Sequence, residues 1–218
     1  MHTKKIKAIL FDLDGTLTDP MVGITRSVQY ALKKFDIFED NLWNLTKFIG
    51  PPLKDSFMRF YDFSEEQARQ GVTYYREYFA PKGKYENEVY EGISEMLAKL
   101  KKEGFYLAVA TSKPEVFAKD ILDHFDLTKY FDFVGGSLLN GREKKADVIA
   151  YVLEQMDAVP EEIIMVGDRE HDIIGAKENH IACVGVLYGY GDRREHENAG
   201  ADHIVGTVEE LKEYLLGL

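Results

Sequence analysis

The first apolar run of the chain, Ala8-Ile9-Leu10-Phe11, is uninterrupted and too short for a helix, the pattern of a strand buried on both faces. It stops abruptly at Asp12-Leu13-Asp14-Gly15-Thr16. From 23 to 35 the pattern becomes a helical stripe of Ile24, Val28, Ala31, Leu32 and Phe35. Residues 42–48 and 53–61 predict two short helices on either side of Gly50-Pro51-Pro52, with Pro52 suited to the first turn of the second. Ser64-Glu65-Glu66-Gln67 is a capping box that opens a further helix running to about residue 79. Between 20 and 80 no stretch reads as a strand.

Residues 81–88 are polar, contain Pro81 and Gly83, and read as a linker. Beyond them the grammar changes. A helix over 93–102 stops at Gly104 and is followed by a strand over 105–110. A helix over 114–125, a short strand over 131–134, and a loop at Gly135-Gly136 come next. Then come a helix over 145–156, a strand over 163–166, a helix over 172–179 and strands over 182–187 and 203–205. Thr207, with Glu210 three residues on, caps the last helix. Strands alternating with helices imply a parallel sheet covered on both faces. The expected fold is α/β, a Rossmann-like doubly wound parallel sheet formed by residues 1–17 and 86–218, with an all-helical insertion over 18–85.

A chain of 218 residues suffices for one sizeable domain with such an insert, and 45% hydrophobic and 30% charged residues mark it as folded. Its net charge of -11 argues against nucleic acid or an anionic membrane surface as partner. An anionic substrate therefore has to meet positive charge placed locally. The single cysteine, Cys183, lies in an apolar strand-like setting, reads as a packed thiol and fits a reducing compartment. Residues 1–7 are polar without a signal-peptide pattern, and no run approaches the ~20 apolar residues of a membrane helix. A cytoplasmic location is expected. The pattern sets no oligomeric state.

In open parallel sheets ligands gather beyond the carboxyl ends of the strands, so the residues that follow each strand are informative. After the first come Asp12 and Asp14, which alternation along an extended chain starts on one side, then Gly15 for a turn and the Thr16 hydroxyl. After 107–110 come Thr111, Ser112 and Lys113; after 163–166 come Gly167, Asp168 and, one helical turn on, Asp172. A basic group, Arg142, Lys144 and Lys145, lies between these sites in sequence. Asp12, Asp168 and Asp172 with carbonyls and water suit a hard divalent cation, for which Mg²⁺ is expected. A hydroxyl and an ammonium beside it suit phosphate oxygens. Asp12 can then serve as nucleophile, and Asp14 as general acid and then base.

The stretches DLDGT, TSK, the lysine before a helix, and GDREHD resemble, in order and over nearly the whole chain, the four motifs of the haloacid dehalogenase superfamily. The resemblance implies that Asp12 forms an aspartyl-phosphate and that Asp14 protonates the leaving oxygen and then activates water. Thr111 would hold a phosphate oxygen, with Gly15, Thr16, Ser112 and Lys113 as further phosphate or substrate contacts. Asp12, the backbone carbonyl of Asp14, and Asp168 would bind Mg²⁺, and Asp172 would act directly or through water. The helical insert looks like the cap of the phosphoglycolate-phosphatase-like branch, with 48–57 similar to a cap signature there. TSKP, KADVI, VGDREHDIIGA and LYGYG look closest to a 5'-nucleotidase-like subgroup. The expected partner is a small phosphorylated metabolite, such as phosphoglycolate or a nucleoside 5'-monophosphate.

Other readings compete at single positions. Lys144 and Lys145 are adjacent, and Lys145, which immediately precedes the helix, is the preferred phosphate-facing lysine. Thr111 could also cap the helix after Pro114, Asp172 could be a first-turn acid that favours the helix dipole, and Lys113 reads equally as a substrate contact or a surface charge. Arg169 follows Asp168 where many members of that superfamily carry a small residue. Cap residues Arg26, Lys47 and Lys54 read as charged helix faces before substrate contacts, and Tyr74, Tyr75, Tyr78 and Phe79 as packing. A phosphomutase shares all four motifs. A non-catalytic binding protein on the same fold would ordinarily lack Asp12 or Asp14, and both are present.

Overall fold

A computed structural model describes residues 5–139 and 141–218. The first residues of the expected core, 1–4, lie outside that range. The chain divides into two compact units, residues 1–18 with 89–218, and residues 19–88.

The larger unit opens with β1 (Ala8–Phe11), every residue of which is buried. The chain leaves it through β2 (Thr18–Asp19) and enters the helical unit, made of α1 (Met21–Lys33), α2 (Leu53–Tyr61) and α3 (Glu65–Phe79). It returns through β3 (Glu88–Val89), the two-residue partner of β2. There follow α4 (Ile93–Lys102), β4 (Tyr106–Pro114), α5 (Glu115–His124), β5 (Phe133–Ser137), α6 (Lys145–Leu153) and β6 (Ile163–Gly167). The chain ends with α7 (Glu170–Glu178), β7 (Ala182–Val186), α8 (Arg193–Ala199), β8 (His203–Val205) and α9 (Val208–Leu216). The six strands of the main sheet run parallel in the order β5-β4-β1-β6-β7-β8.

This order explains the sequence pattern. β1 lies between β4 and β6, with Leu10 level with Ala108 and Met165, so both of its faces are covered and no polar alternation is tolerated. Ala8, Leu10, Ala108, Ala110 and Met165 pack with Val148, Ile149 and Val152 of α6 and Ile173 and Ala176 of α7. α4 and α5 pack on β4, and α9 on α4; right-handed crossovers place these on the opposite face. Each fully buried aliphatic side chain contributes about 1.5–3 kcal/mol. The chain leaves β1 toward β4 and leaves β6 toward β7, so the crevice of a doubly wound sheet opens between β1 and β6.

The helical unit has its own core. Val28, Ala31 and Leu32 of α1, Leu45, Phe48 and Ile49, Phe57 of α2, and Ala68, Tyr75 and Phe79 of α3 are all buried. Ser64 and Gln67 exchange hydrogen bonds as the capping box requires, 2.9 Å from Ser64 N to the Gln67 side chain and 3.2 Å from Gln67 N to Ser64 Oγ. Among the described residues no helix is long and apolar enough to cross a membrane.

Four local readings change. Residues 42–48 form a 3-10 helix. β4 runs on to Pro114, past Thr111 and Lys113. Gly135-Gly136 is strand, not loop: a Cβ on Gly135 would lie 2.4 Å from Val152, and one on Gly136 2.6 Å from the Lys113 carbonyl oxygen. These glycines serve close packing, a demand that composition cannot distinguish from a turn. Helix α8 was not expected, because Arg-Arg-Glu-His-Glu-Asn-Ala has no apolar stripe; only His196 in it is buried.

Candidate active site

The β1 tip turns at once. Gly15 adopts φ +82°, a left-handed conformation that favours glycine, and the Leu13 carbonyl accepts from Leu17 N and Thr18 N at 2.9 and 3.0 Å. Any Cβ on Gly15 would lie 2.1 Å from Asp168 Oδ2, so only glycine lets this turn pass the β6 tip. Asp12 N donates to the Val166 carbonyl at 2.9 Å, which holds the two strand ends level.

Asp12, Asp168 and Asp172 converge, with one carboxylate oxygen of each lying within 4.8 Å of the others. The Lys145 ammonium completes the group at 2.8 Å from Asp12 Oδ1, 2.7 Å from Asp172 Oδ1 and 3.0 Å from the Ala110 carbonyl. Lys145 is buried and Lys144 exposed, because Lys144 is the N-cap of α6 and Lys145 its first residue. Asp172 does two things. Its Oδ2 accepts from Arg169 N at 3.0 Å and so caps α7, while Oδ1 meets Lys145.

Asp14 is held apart from this group. Its Oδ2 pairs with the Lys113 ammonium at 2.7 Å, and its Oδ1 is buried with no hydrogen-bond partner among the described residues. Lys113 is therefore a buried group at the site and not a surface charge. Thr111 is buried beside it, its Oγ1 accepting from Lys113 N at 3.2 Å; Ser112 is half-buried. Thr16 is fully buried, and its carbonyl accepts from the Tyr188 hydroxyl at 3.0 Å.

Several contributors were given no role on sequence grounds. They lie in the loop after β7, to which the strand-end rule applies equally. Tyr190 N donates to Asp168 Oδ2 at 2.8 Å. A Cβ on Gly189 would lie 2.3 Å from the Gly15 carbonyl oxygen and 2.5 Å from Asp168 Cβ, so the first glycine of LYGYG lets this loop close over Asp168. Glu195 of α8 accepts from Arg169 Nε at 2.9 Å and from Glu170 N at 2.7 Å, which turns Arg169 to α8.

The electrostatics call for a cation. Four carboxylates (Asp12, Asp14, Asp168, Asp172) meet two ammoniums (Lys113, Lys145). Burial, then the charges of Asp172 and Asp12, hold the Asp168 carboxyl well above its usual range. Burial also raises Asp172, against the pull of Lys145. Burial raises Asp14, opposed by Lys113. For Lys145, burial would lower the ammonium, but Asp12 and Asp172 outweigh it and the net shift is upward. Asp168 Oδ1 is buried without a hydrogen-bond partner among the described residues, the mark of a missing positive neighbour. Oxygen donors and two surplus negative charges fit a hard divalent ion.

That fit has a measurable consequence. Burial raises both Asp168, the more strongly, and Asp172, so without a cation the folded chain holds protons on them more tightly than the unfolded chain over the pH window between their ordinary and raised values. Stability then falls as pH rises through that window, and a cation on the ionised pair recovers it. A divalent cation held there at about 100 times its dissociation constant would add ~2.7 kcal/mol, or roughly 5–10 °C in Tm, at neutral pH. The gain shrinks on acidification. An equal gain in Asp168→Asn, followed by thermal unfolding, would contradict the assignment.

Elsewhere, Cys183 is buried, its thiol 3.3 Å from Asp202 Oδ2, and burial pushes it up to about 11, so it is a packed thiol. In the helical unit Arg26 pairs with Glu86 at 2.6 Å and Lys54 with Glu65 at 3.1 Å, while Lys47 lies 4.8 Å over the Phe60 ring.

A doubly wound parallel sheet with carboxylates and lysines gathered at adjoining strand ends defines an α/β protein with a buried acidic site that could hold a metal ion. The chain matches the haloacid dehalogenase-like hydrolases over residues 9–186, and it belongs to that family. It is 46% identical over 208 residues to a 5'-nucleotidase of Pseudomonas aeruginosa, covering 95% of this chain and 94% of that protein. It is 38% identical over 213 residues to the tyrosine-protein kinase PtkA of Mycobacterium tuberculosis, covering 95% of this chain and 72% of that protein. Among solved structures, a predicted phosphatase from Clostridium acetobutylicum superimposes with a TM-score of 0.95 at 52% identity, over 99% of this chain and all of that one.

Proposed function

We propose that this protein is a Mg²⁺-dependent phosphatase that hydrolyses a small phosphomonoester through an aspartyl-phosphate on Asp12. One observation carries the reading: two carboxylates two residues apart sit in different environments. Asp12 shares Lys145 with Asp172, whereas Asp14 has its own lysine and one unpartnered buried oxygen. Such a split assigns one carboxylate to attack and the other to proton transfer. The family and the phosphatase and 5'-nucleotidase relatives support it.

In the first half, an Asp12 oxygen attacks phosphorus and the bond from phosphorus to the ester oxygen breaks. The electron pair leaves on that oxygen, which takes the proton from Asp14. In the second, Asp14 takes a proton from water as its oxygen attacks phosphorus. The bond from phosphorus to Asp12 breaks, which frees phosphate and restores the carboxylate. Asp12, Asp168, Asp172 and the Asp14 carbonyl would hold Mg²⁺, which when bound supplies positive charge for the phosphoryl oxygens and offsets the repulsion between carboxylate and phosphate. Lys145 holds Asp12 Oδ1 at 2.8 Å and so orients the carboxylate, and Thr111 with Gly15, Thr16 and Ser112 supplies donors for the phosphoryl oxygens. The helical unit is proposed as the cap that selects the alcohol part. The single packed thiol fits a reducing compartment such as the cytoplasm.

Phosphate release from p-nitrophenyl phosphate and a panel of phosphomonoesters with Mg²⁺ tests the reading, with nucleoside 5'-monophosphates and phosphoglycolate in the panel. Turnover of at least one ester is expected. If a second alcohol replaced water in the second half, the protein would be a mutase or kinase, and label would move to the acceptor with little free phosphate. No turnover on any ester would sink the proposal.

A further inference from the structure

Lys113 pairs with Asp14 at 2.7 Å, and the details of that pairing say more than proximity. Thr111 and Lys113 lie at the end of β4, where the pairing with β5 shifts register between Thr111 and Pro114, and both side chains are buried there. The backbone there is fixed from two sides. Lys113 N donates to Thr111 Oγ1 at 3.2 Å, and the Lys113 carbonyl packs so close to Gly136 that a Cβ would lie 2.6 Å away. The side chain reaches Asp14 with only 5% of its surface exposed, and Asp14 shows 13%. An ammonium has donors and no acceptor. The Asp14 oxygen it holds, Oδ2 at 2.7 Å, must therefore be the one without the proton.

We infer that Lys113 is a positioning residue for proton transfer: by pinning Asp14 Oδ2 it fixes the carboxyl rotamer and confines the transferable proton to Oδ1. Oδ1 is the buried atom with no hydrogen-bond partner among the described residues, which leaves it available to the leaving oxygen and then to water. This inference rests on the phosphatase reading and deepens it. It also gives the glycines of β5 a purpose, because only a strand without side chains at 136 lets the Lys113 backbone settle so close.

Of the two proton transfers Lys113 serves, the first, which kcat/KM reports, matters only when the leaving oxygen needs a proton. An alkoxide needs one and a nitrophenolate does not. In Lys113→Met, kcat/KM for an alkyl phosphomonoester is expected to fall about 10²-fold further than for p-nitrophenyl phosphate. The Ki of inorganic phosphate should change little. In the Asp14→Asn background the same substitution should add no further leaving-group dependence. If Lys113→Met yields no folded protein by thermal unfolding, neutral Lys113→Gln carries the same comparison. Equal losses on both esters with a weakened phosphate Ki would make Lys113 a phosphate contact and overturn the inference, as would no loss on either. A wild type inactive on both esters would overturn the phosphatase reading and this inference with it; an active wild type without the differential overturns the inference alone.

Discussion

Replacing Asp12 by Asn is expected to lower turnover of every phosphomonoester by at least ~10⁴-fold, because an amide cannot attack phosphorus. The fold should survive. Asn fills the same space, Lys145 keeps Asp172 at 2.7 Å, and one of three converging negative charges is removed. In thermal unfolding the protein without metal is expected to be no less stable than wild type, with a smaller gain on adding Mg²⁺. Activity loss together with preserved stability places the defect in the chemistry and not in folding. Retention of a tenth of wild-type turnover would contradict the assignment.

The second large effect concerns Lys145. Removal of one partner from a buried ion pair leaves an uncompensated charge, which costs about 3–5 kcal/mol. Lys145→Ala strands two carboxylates at once, so a fall in Tm of roughly 10 °C or more is expected. Mg²⁺ should recover part of it by neutralising the same oxygens. Turnover should drop by about 10²–10³-fold with Mg²⁺ saturating, as for loss of a fixed charge at the reacting centre. Lys144→Ala is the control: the exposed N-cap lysine should move stability by no more than ~0.5 kcal/mol and leave turnover intact. If the two variants behaved alike, the division between neighbouring lysines would be wrong.

Much of the fold was legible because its signals are local. Ala8 to Phe11 could only be a strand covered on both faces, and Asp12, Asp168 and Thr111 could be grouped because strand ends in a parallel sheet share an edge. Ser64 and Thr207 announced their helices through cap chemistry. What escaped depends on neighbours distant in sequence. Gly135 and Gly136 look like a turn until Val152 and the Lys113 carbonyl are placed against them. Helix α8 has no stripe because its role is capping: Glu195 serves the start of α7 and Asp192 its own first turn. Lys113 was undecided since a long flexible side chain can end in solvent or on a carboxylate, and only the packing of its stem settles which. Tyr188, Gly189 and Tyr190 were visible as a motif, but the Tyr188 hydroxyl serves the Thr16 carbonyl and Gly189 and Tyr190 act on Asp168 through close packing and a backbone N–H, partners that residue type does not advertise.

The central claim is that the phosphoryl group passes through the Asp12 carboxylate. An acyl phosphate is reduced by borohydride where a free carboxylate is not, which converts the aspartate that carried it to homoserine. Wild-type protein should be mixed with excess phosphomonoester and Mg²⁺, quenched in acid during turnover, reduced and analysed by peptide mass spectrometry. The account predicts homoserine at position 12, dependent on substrate and absent in Asp12→Asn. Substrate-dependent reduction at another carboxylate, or none at position 12 while phosphate is being released, would contradict it.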